Sequence, residues 1–162
     1  MPIPPAEIPP AEVHIRLCRD ADLAAVAGLY RRWEAEGVTW GLTAETAEAL
    51  RARLGPFFLV AERGGEIVGF AAGRVRRAGA APPDNLAVFP GGADYLEVEA
   101  LYVAAPARRA GIGTRLVERV LAEARGRGIE HSTAFSATKD TARISRFYER
   151  LGYRPWGVQF FK

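Results

Sequence analysis

"PARRAGIGTRLVERVLAEARGRG", Pro106–Gly128, directly follows an apolar run, Tyr95–Val103. Within it, two arginines and two glycines lead into a stretch where Leu116, Val117, Val120, Leu121 and Ala124 recur at helical spacing. A strand, a loop of small residues and a helix N-terminus together make a place for an anion, because the first amides of a helix lack partners and point outward. Spacing excludes two familiar phosphate loops. A P-loop would need Gly-Lys-Ser/Thr five residues after its first glycine, where this chain has Leu116, and a dinucleotide fingerprint would need a third small residue at that same position.

Working outward from this stretch, Val13–Leu17 reads as a short first strand. Asp20 then caps a helix whose stripe is Leu23, Val26, Ala27, Tyr30 and Trp33, and Gly37 ends it. Thr43 is expected to cap a second helix running through Leu54, stopped by Gly55-Pro56. "FFLVAERGGEIVGFAAGRV", Phe57–Val75, reads as two strands around a Gly-Gly turn, the clearest hairpin signal in the chain. Arg77–Asp94 is a long Ala/Pro/Gly-rich connection of the kind that often carries a binding role. After the central strand come a helix over about 113–126, a strand Glu130–Ala137, a helix Asp140–Leu151 closed by Gly152, and a last strand Val158–Phe161. The order β-α-α-β-β-β-α-β-α-β implies one mixed sheet with helices on both faces, an α/β (α+β) domain over 13–162. Residues 1–12 read as a proline-rich N-terminal arm outside it.

Composition narrows the classes. With 162 residues, 49% of them hydrophobic, the chain suits one domain able to bury a core. No apolar run reaches the length of a membrane span, and the start lacks the pattern of a signal peptide. Cys18 is the single cysteine, so no internal disulfide is available and a cytoplasmic location is expected. His14 and His131 are the only histidines and lie apart, so no metal site is expected. The net charge is +3, and Lys139 and Lys162 are the only lysines among 22 cationic residues. Arginine suits phosphate through its planar fork. Yet Arg108, Arg109, Arg115, Arg119, Arg125 and Arg127 alternate with Glu118 and Glu123, the pattern of a solvated helix face, so neither nucleic acid nor membrane is an expected partner.

Arg108–Gly113, R-x-x-G-x-G after the strand "EVEALYV", resembles the acetyl-CoA signature of the GNAT superfamily of N-acetyltransferases. "RFYERLGYRP", Arg146–Pro155, resembles the family's last helix, and the hairpin before the central strand is the family's usual pair. The three pieces stand in family order over residues 13–162. The resemblance implies a single GNAT-like domain: a mostly antiparallel mixed sheet with a splayed central strand. It also implies an enzyme that moves the acetyl group of acetyl-CoA directly to a primary amine, a small molecule in the first instance. A non-catalytic acyl-CoA-binding or sensing module, or a peptide or protein N-acetyltransferase, is the alternative. Many relatives pair through their late strands, so a homodimer involving the tail "GVQFFK" is expected.

By that resemblance, Leu101, Tyr102 and Val103 would receive the pantetheine arm along their backbone. Arg108, Arg109, Ala110, Gly111, Ile112, Gly113 and Thr114 would hold the diphosphate, whose oxygens suit outward amides at a helix N-terminus. Thr141 stands where the family often has an asparagine bonding the pantetheine, and a hydroxyl has a shorter reach and one fewer donor. Tyr148 matches the tyrosine that serves as general acid, though it also lies on the apolar stripe of its helix. Glu97 stands at the spacing of the general base in histone-type members, and Glu99 where many small-molecule members carry an acid. Strand alternation puts both on the face of Leu101; the plain alternative is that they face solvent or pair with arginine. Cys18, without a nearby histidine, is a poor nucleophile. The first two helices and the loop before the central strand would wall the acceptor site, which suggests Tyr30, Trp33, Glu34, Glu36, Trp40 and Phe89. Aromatic and acidic groups together can hold a cationic amine; core and rim positions are the bland reading of the same residues.

Overall fold

The architecture comes from a computed structural model that describes residues 12–79 and 88–157. Five strands form one sheet in the order β1-β2-β3-β4-β5. They are β1 Val13–Leu17, β2 Phe58–Arg63, β3 Glu66–Arg77, β4 Asp94–Val103 and β5 His131–Ala134. Neighbours run antiparallel except β4 and β5, which are parallel. Four helices accompany them: α1 Leu23–Glu36, α2 Ala47–Arg51, α3 Ile112–Arg125 and α4 Thr141–Arg150.

The sheet is covered on both faces, which is why β2 reads as an unbroken apolar run with Phe58, Leu59, Val60 and Ala61 all buried. On one face Leu23, Val26, Ala27 and Tyr30 of α1, with Leu50 of α2, pack on Phe58, Val60, Phe70 and Ala72. On the other, Ile112, Leu116, Val120 and Ala124 of α3 pack on Leu59, Ala61, Ala71, Leu96 and Val98. Each fully buried Val, Leu, Ile or Phe side chain among them contributes about 1.5–3 kcal/mol over an exposed one. The turn between β2 and β3 has φ of 58° at Gly64 and 81° at Gly65, the pair of left-handed residues that a two-residue hairpin demands.

Two elements differ from their expected bounds. The second helix begins after Thr46, not Thr43, because the Thr46 hydroxyl accepts from the Ala49 amide at 3.2 Å while Glu45 is drawn to Arg53 at 2.7 Å. The fifth strand ends at Ala134 instead of Ala137. There the chain leaves β4 for the segment after α1: the Trp40 amide bonds the Ala137 carbonyl at 2.8 Å, and Thr39 bridges Thr138. The long connection is narrower than its sequence suggests, since Ala78 pairs with Gly92 and Ala93 and prolongs the β3–β4 hairpin. The N-terminal arm up to residue 11, loop residues 80–87, and the expected last strand and tail from 158 onward lie outside the described residues. No helix among the described residues is long and apolar enough to cross a membrane.

Candidate active site

β4 carries a bulge. Gly73 of β3 lies opposite Val98 and Ala72 opposite Ala100, which leaves Glu99 as the extra residue. The bulge inverts the alternation beyond it. Leu96 and Val98 face α3, and so do Leu101 and Val103, whereas Ala100 and Tyr102 face α1. This corrects the expectation that Glu97 and Glu99 share a face with Leu101: both glutamates lie on the α1/α2 side. There they meet arginines. Arg76 Nε donates to Glu97 at 2.7 Å and its Nη2 to Glu99 at 3.4 Å. Arg53 Nη1 donates to Glu99 at 2.8 Å, and Arg74 lies 3.4 Å from the same carboxylate.

The other edge of β4 opens. Its register with β5 covers only Tyr95–Val98, so Glu99–Val103 has no strand partner on that edge among the described residues. This is a splayed strand, and its backbone is available to an extended ligand. The chain then makes a 3₁₀ turn at Ala105–Ala107 and passes through Arg109, the one described non-glycine residue in the left-handed region, at φ 66°. Gly111 caps α3 at φ 71°, with no side-chain cap. The first bonded amide of the helix is that of Arg115, to the Gly111 carbonyl at 3.0 Å. The amides from Arg109 to Thr114 make no backbone hydrogen bond among the described residues. A Cβ on Gly111 would meet nothing within 4 Å, so the space beside these donors is open.

α4 brings the last group. Asp140 caps it by accepting from the Arg143 amide at 2.9 Å, and Thr141 is its exposed first residue. Phe147 closes on the start of α3: a Cβ on Gly113 would lie 3.6 Å from its ring. Tyr148, the next residue, packs edge-on against Phe147 and Tyr153, and burial pushes its phenol above the usual tyrosine range. Its hydroxyl has no hydrogen-bond partner among the described residues.

The sequence that builds this helix end, opened strand and tyrosine matches one family model, the acetyltransferase (GNAT) family, over residues 27–153. The chain belongs to that family. By it the protein is an acyltransferase. Solved structures agree on the fold. An aminoglycoside acetyltransferase from an uncultured soil metagenomic sample, in complex with trehalose, is 21% identical with a TM-score of 0.68, covering 93% of this chain and 95% of that one. An aminoglycoside N-acetyltransferase in complex with CoA is 16% identical with a TM-score of 0.69, covering 94% and 95%. N-acetylglutamate synthase from Neisseria gonorrhoeae, complexed with coenzyme A and N-acetyl-glutamate, is 28% identical with a TM-score of 0.62, covering 86% of this chain but 28% of that one. No curated protein matches by sequence.

Within this GNAT domain the expected acceptor wall divides. Tyr30 is 3% exposed and packs on Phe70, which makes it core rather than wall. Trp33 stacks on Tyr102 at 5.4 Å and donates from Nε1 to Thr39 at 2.9 Å. Trp40 is half-exposed with Lys139 Nζ 4.6 Å above its ring, while Phe89 stacks on His131 at 4.8 Å. Glu36 lies against Arg108 and Tyr102, and Glu34 borders a groove between α1 and the start of α2. Cys18 is buried, and that burial pushes its thiol up to about 12, which suits a core residue and not a nucleophile. Sequence reading did not single out Arg53, Arg74 and Arg76. Glu97 and Glu99 stand 21 or more residues from these arginines, and no local pattern joins them.

Proposed function

We propose that this chain transfers the acetyl group of acetyl-CoA directly to a primary amine of a small molecule. The observation that carries the reading is the open, uncapped start of α3 beside the unpaired edge of β4: a set of donors for a diphosphate continuous with a backbone edge for the arm attached to it. When bound, acetyl-CoA supplies the thioester acyl group. The amides of Arg109 to Thr114 hold the phosphates, and the field of α3 adds attraction for the negative charge. The backbone of Leu101–Val103 takes the arm and donates an N–H to the carbonyl, as in an oxyanion hole.

Tyr148 keeps its proton throughout the neutral range, because burial raises its phenol, and it donates that proton to the departing sulfur. Glu97 and Glu99 share Arg76 on the acceptor side, where one of them takes the proton of the amine. The aminoglycoside acetyltransferases among the structural neighbours support a small-molecule amine. Release of free thiol from acetyl-CoA over a panel of amines, aminoglycosides, amino acids and N-terminal peptides tests the proposal. Saturable turnover with a small amine is expected. CoA binding with no thiol release on any amine would leave a non-catalytic acyl-CoA module, and turnover confined to peptides would make it a peptide acetyltransferase.

A further inference from the structure

Glu36 is the last residue of α1, and three hydrogen bonds converge on its carboxylate. The Tyr102 hydroxyl donates at 2.7 Å, and Arg108 Nη2 donates to the two oxygens at 2.8 and 2.7 Å. Arg108 Nε donates in turn to the Val103 carbonyl at 2.8 Å, and its guanidinium lies 5.4 Å over the Tyr102 ring. Two of the three guanidinium nitrogens are therefore engaged inside the protein and not turned toward the open space beside Gly111. The residue that follows is Arg109, held at φ 66°, a conformation that a non-glycine residue keeps only where its surroundings fix it. The Arg108 anchor is the fixture next to it. Tyr102, buried and stacked on Trp33, belongs to the Glu99–Val103 edge of β4, and its bond to Glu36 ties that edge to the end of α1.

We propose that Glu36 is a positioning residue for the cofactor loop: by gripping Arg108 and Tyr102 together, it aligns the amides of Arg109–Thr114 with the free edge of Glu99–Val103. Arg108 acts through this grip and not by meeting the phosphate with its fork. Burial pushes the Glu36 carboxyl up, but the hydrogen bonds from Arg108 and Tyr102 and the charges of Arg108 and Arg143 more than offset it. The carboxyl ends below the usual range and stays ionised at any pH at which turnover would be assayed. The inference rests on the acetyl-CoA reading above, and wild-type binding of CoA tests that reading separately.

The experiment is a double-mutant cycle on the full chain, with CoA as the probe in calorimetric titration: wild type, Glu36→Gln, Arg108→Gln and both together. Each single change is expected to weaken CoA by about tenfold or more through misalignment, and the pair by no more than either alone. KM for acetyl-CoA rises correspondingly, while the acceptor KM stays within about threefold. Tyr102→Phe keeps the stacked ring and removes one bond, so a smaller CoA loss with an unchanged melt is expected; it decides the matter if Glu36→Gln does not fold. Loss in Arg108→Gln with none in Glu36→Gln would overturn the proposal, because Arg108 would then meet the phosphate directly. Additive losses, or an acceptor KM that moves while CoA affinity does not, would overturn it as well. If wild type itself fails to bind CoA, the acetyl-CoA reading falls and this one with it.

Discussion

Tyr148 is set in an aromatic corner, its ring 5.0 Å from Phe147 and 5.3 Å from Tyr153, yet no hydrogen bond among the described residues holds its hydroxyl. Packing and proton donation are thus separable in a single atom. In Tyr148→Phe the ring stays, so the melt should move by little, and acetyl-CoA affinity should stay near wild type. Turnover should fall on the order of 100-fold, the usual contribution of a general acid. A variant that turns over normally would make Tyr148 a packing residue, and one that unfolds would show that the hydroxyl had a structural partner. The tyrosine and the R-x-x-G-x-G loop were legible at this scale because both are local patterns. The grip of Glu36 on Arg108 was not, because the partners stand 72 residues apart and either side chain alone looks like surface charge.

Elements are joined by charge as well as by apolar packing. At the start of α1, Asp22 is 9% exposed and receives Arg16 of β1 at 2.6 and 2.9 Å, while Arg16 also meets Glu62 of β2 at 2.8 Å. The bond from Arg16 holds the Asp22 carboxyl below its usual range, against the opposing effect of burial and with help from the Arg19 amide. The direction fixes the pH dependence. A lowered folded pKa contributes stability that is present above the unfolded aspartate value of about 4 and is lost as pH falls through the folded value. Asp22→Asn should therefore cost about 2 kcal/mol at neutral pH. The gap between its thermal melts and those of wild type should close as pH falls below about 4. A gap that is constant across pH would mean that the charge of Asp22 does not stabilise the junction.

For the whole molecule, the loop Arg108–Thr114 joins the two packed layers: Ala104 belongs to the core under α1, while Ala107 and Ile112 belong to the core under α3. A ligand bound there stabilises the folded chain against global unfolding. At a hundredfold excess over its Kd, CoA should add about 2.7 kcal/mol and raise Tm by about 5–10 °C. Gly111→Val puts a branched Cβ into the open space at a φ of 71°, and a roughly tenfold loss of affinity should cut that rise to about half. The rise, and not the baseline, is the measure, since the substitution also strains the backbone. An undiminished rise would put the anion site elsewhere.

The sequence by itself determined the element types, their order from β1 to α4, and the family. The apolar runs of β2 and β3, period two in β4, period 3.6 in α1, α3 and α4, and the Gly-Gly turn are properties of short stretches whose physics is local. Tertiary structure decided what depends on neighbours distant in the chain. The Glu99 bulge, fixed by pairing with β3, turned Glu97 and Glu99 toward the arginines and away from Leu101. The Thr39–Thr138 bridge ended β5 early, and the Thr46 hydroxyl and the pull of Arg53 on Glu45 shortened α2. Above all, the parting of β4 from β5 after Val98 made an opening out of a strand that reads in sequence like any buried one. Alternation along a strand records which face is apolar; it carries no information about whether the backbone edge has found a partner.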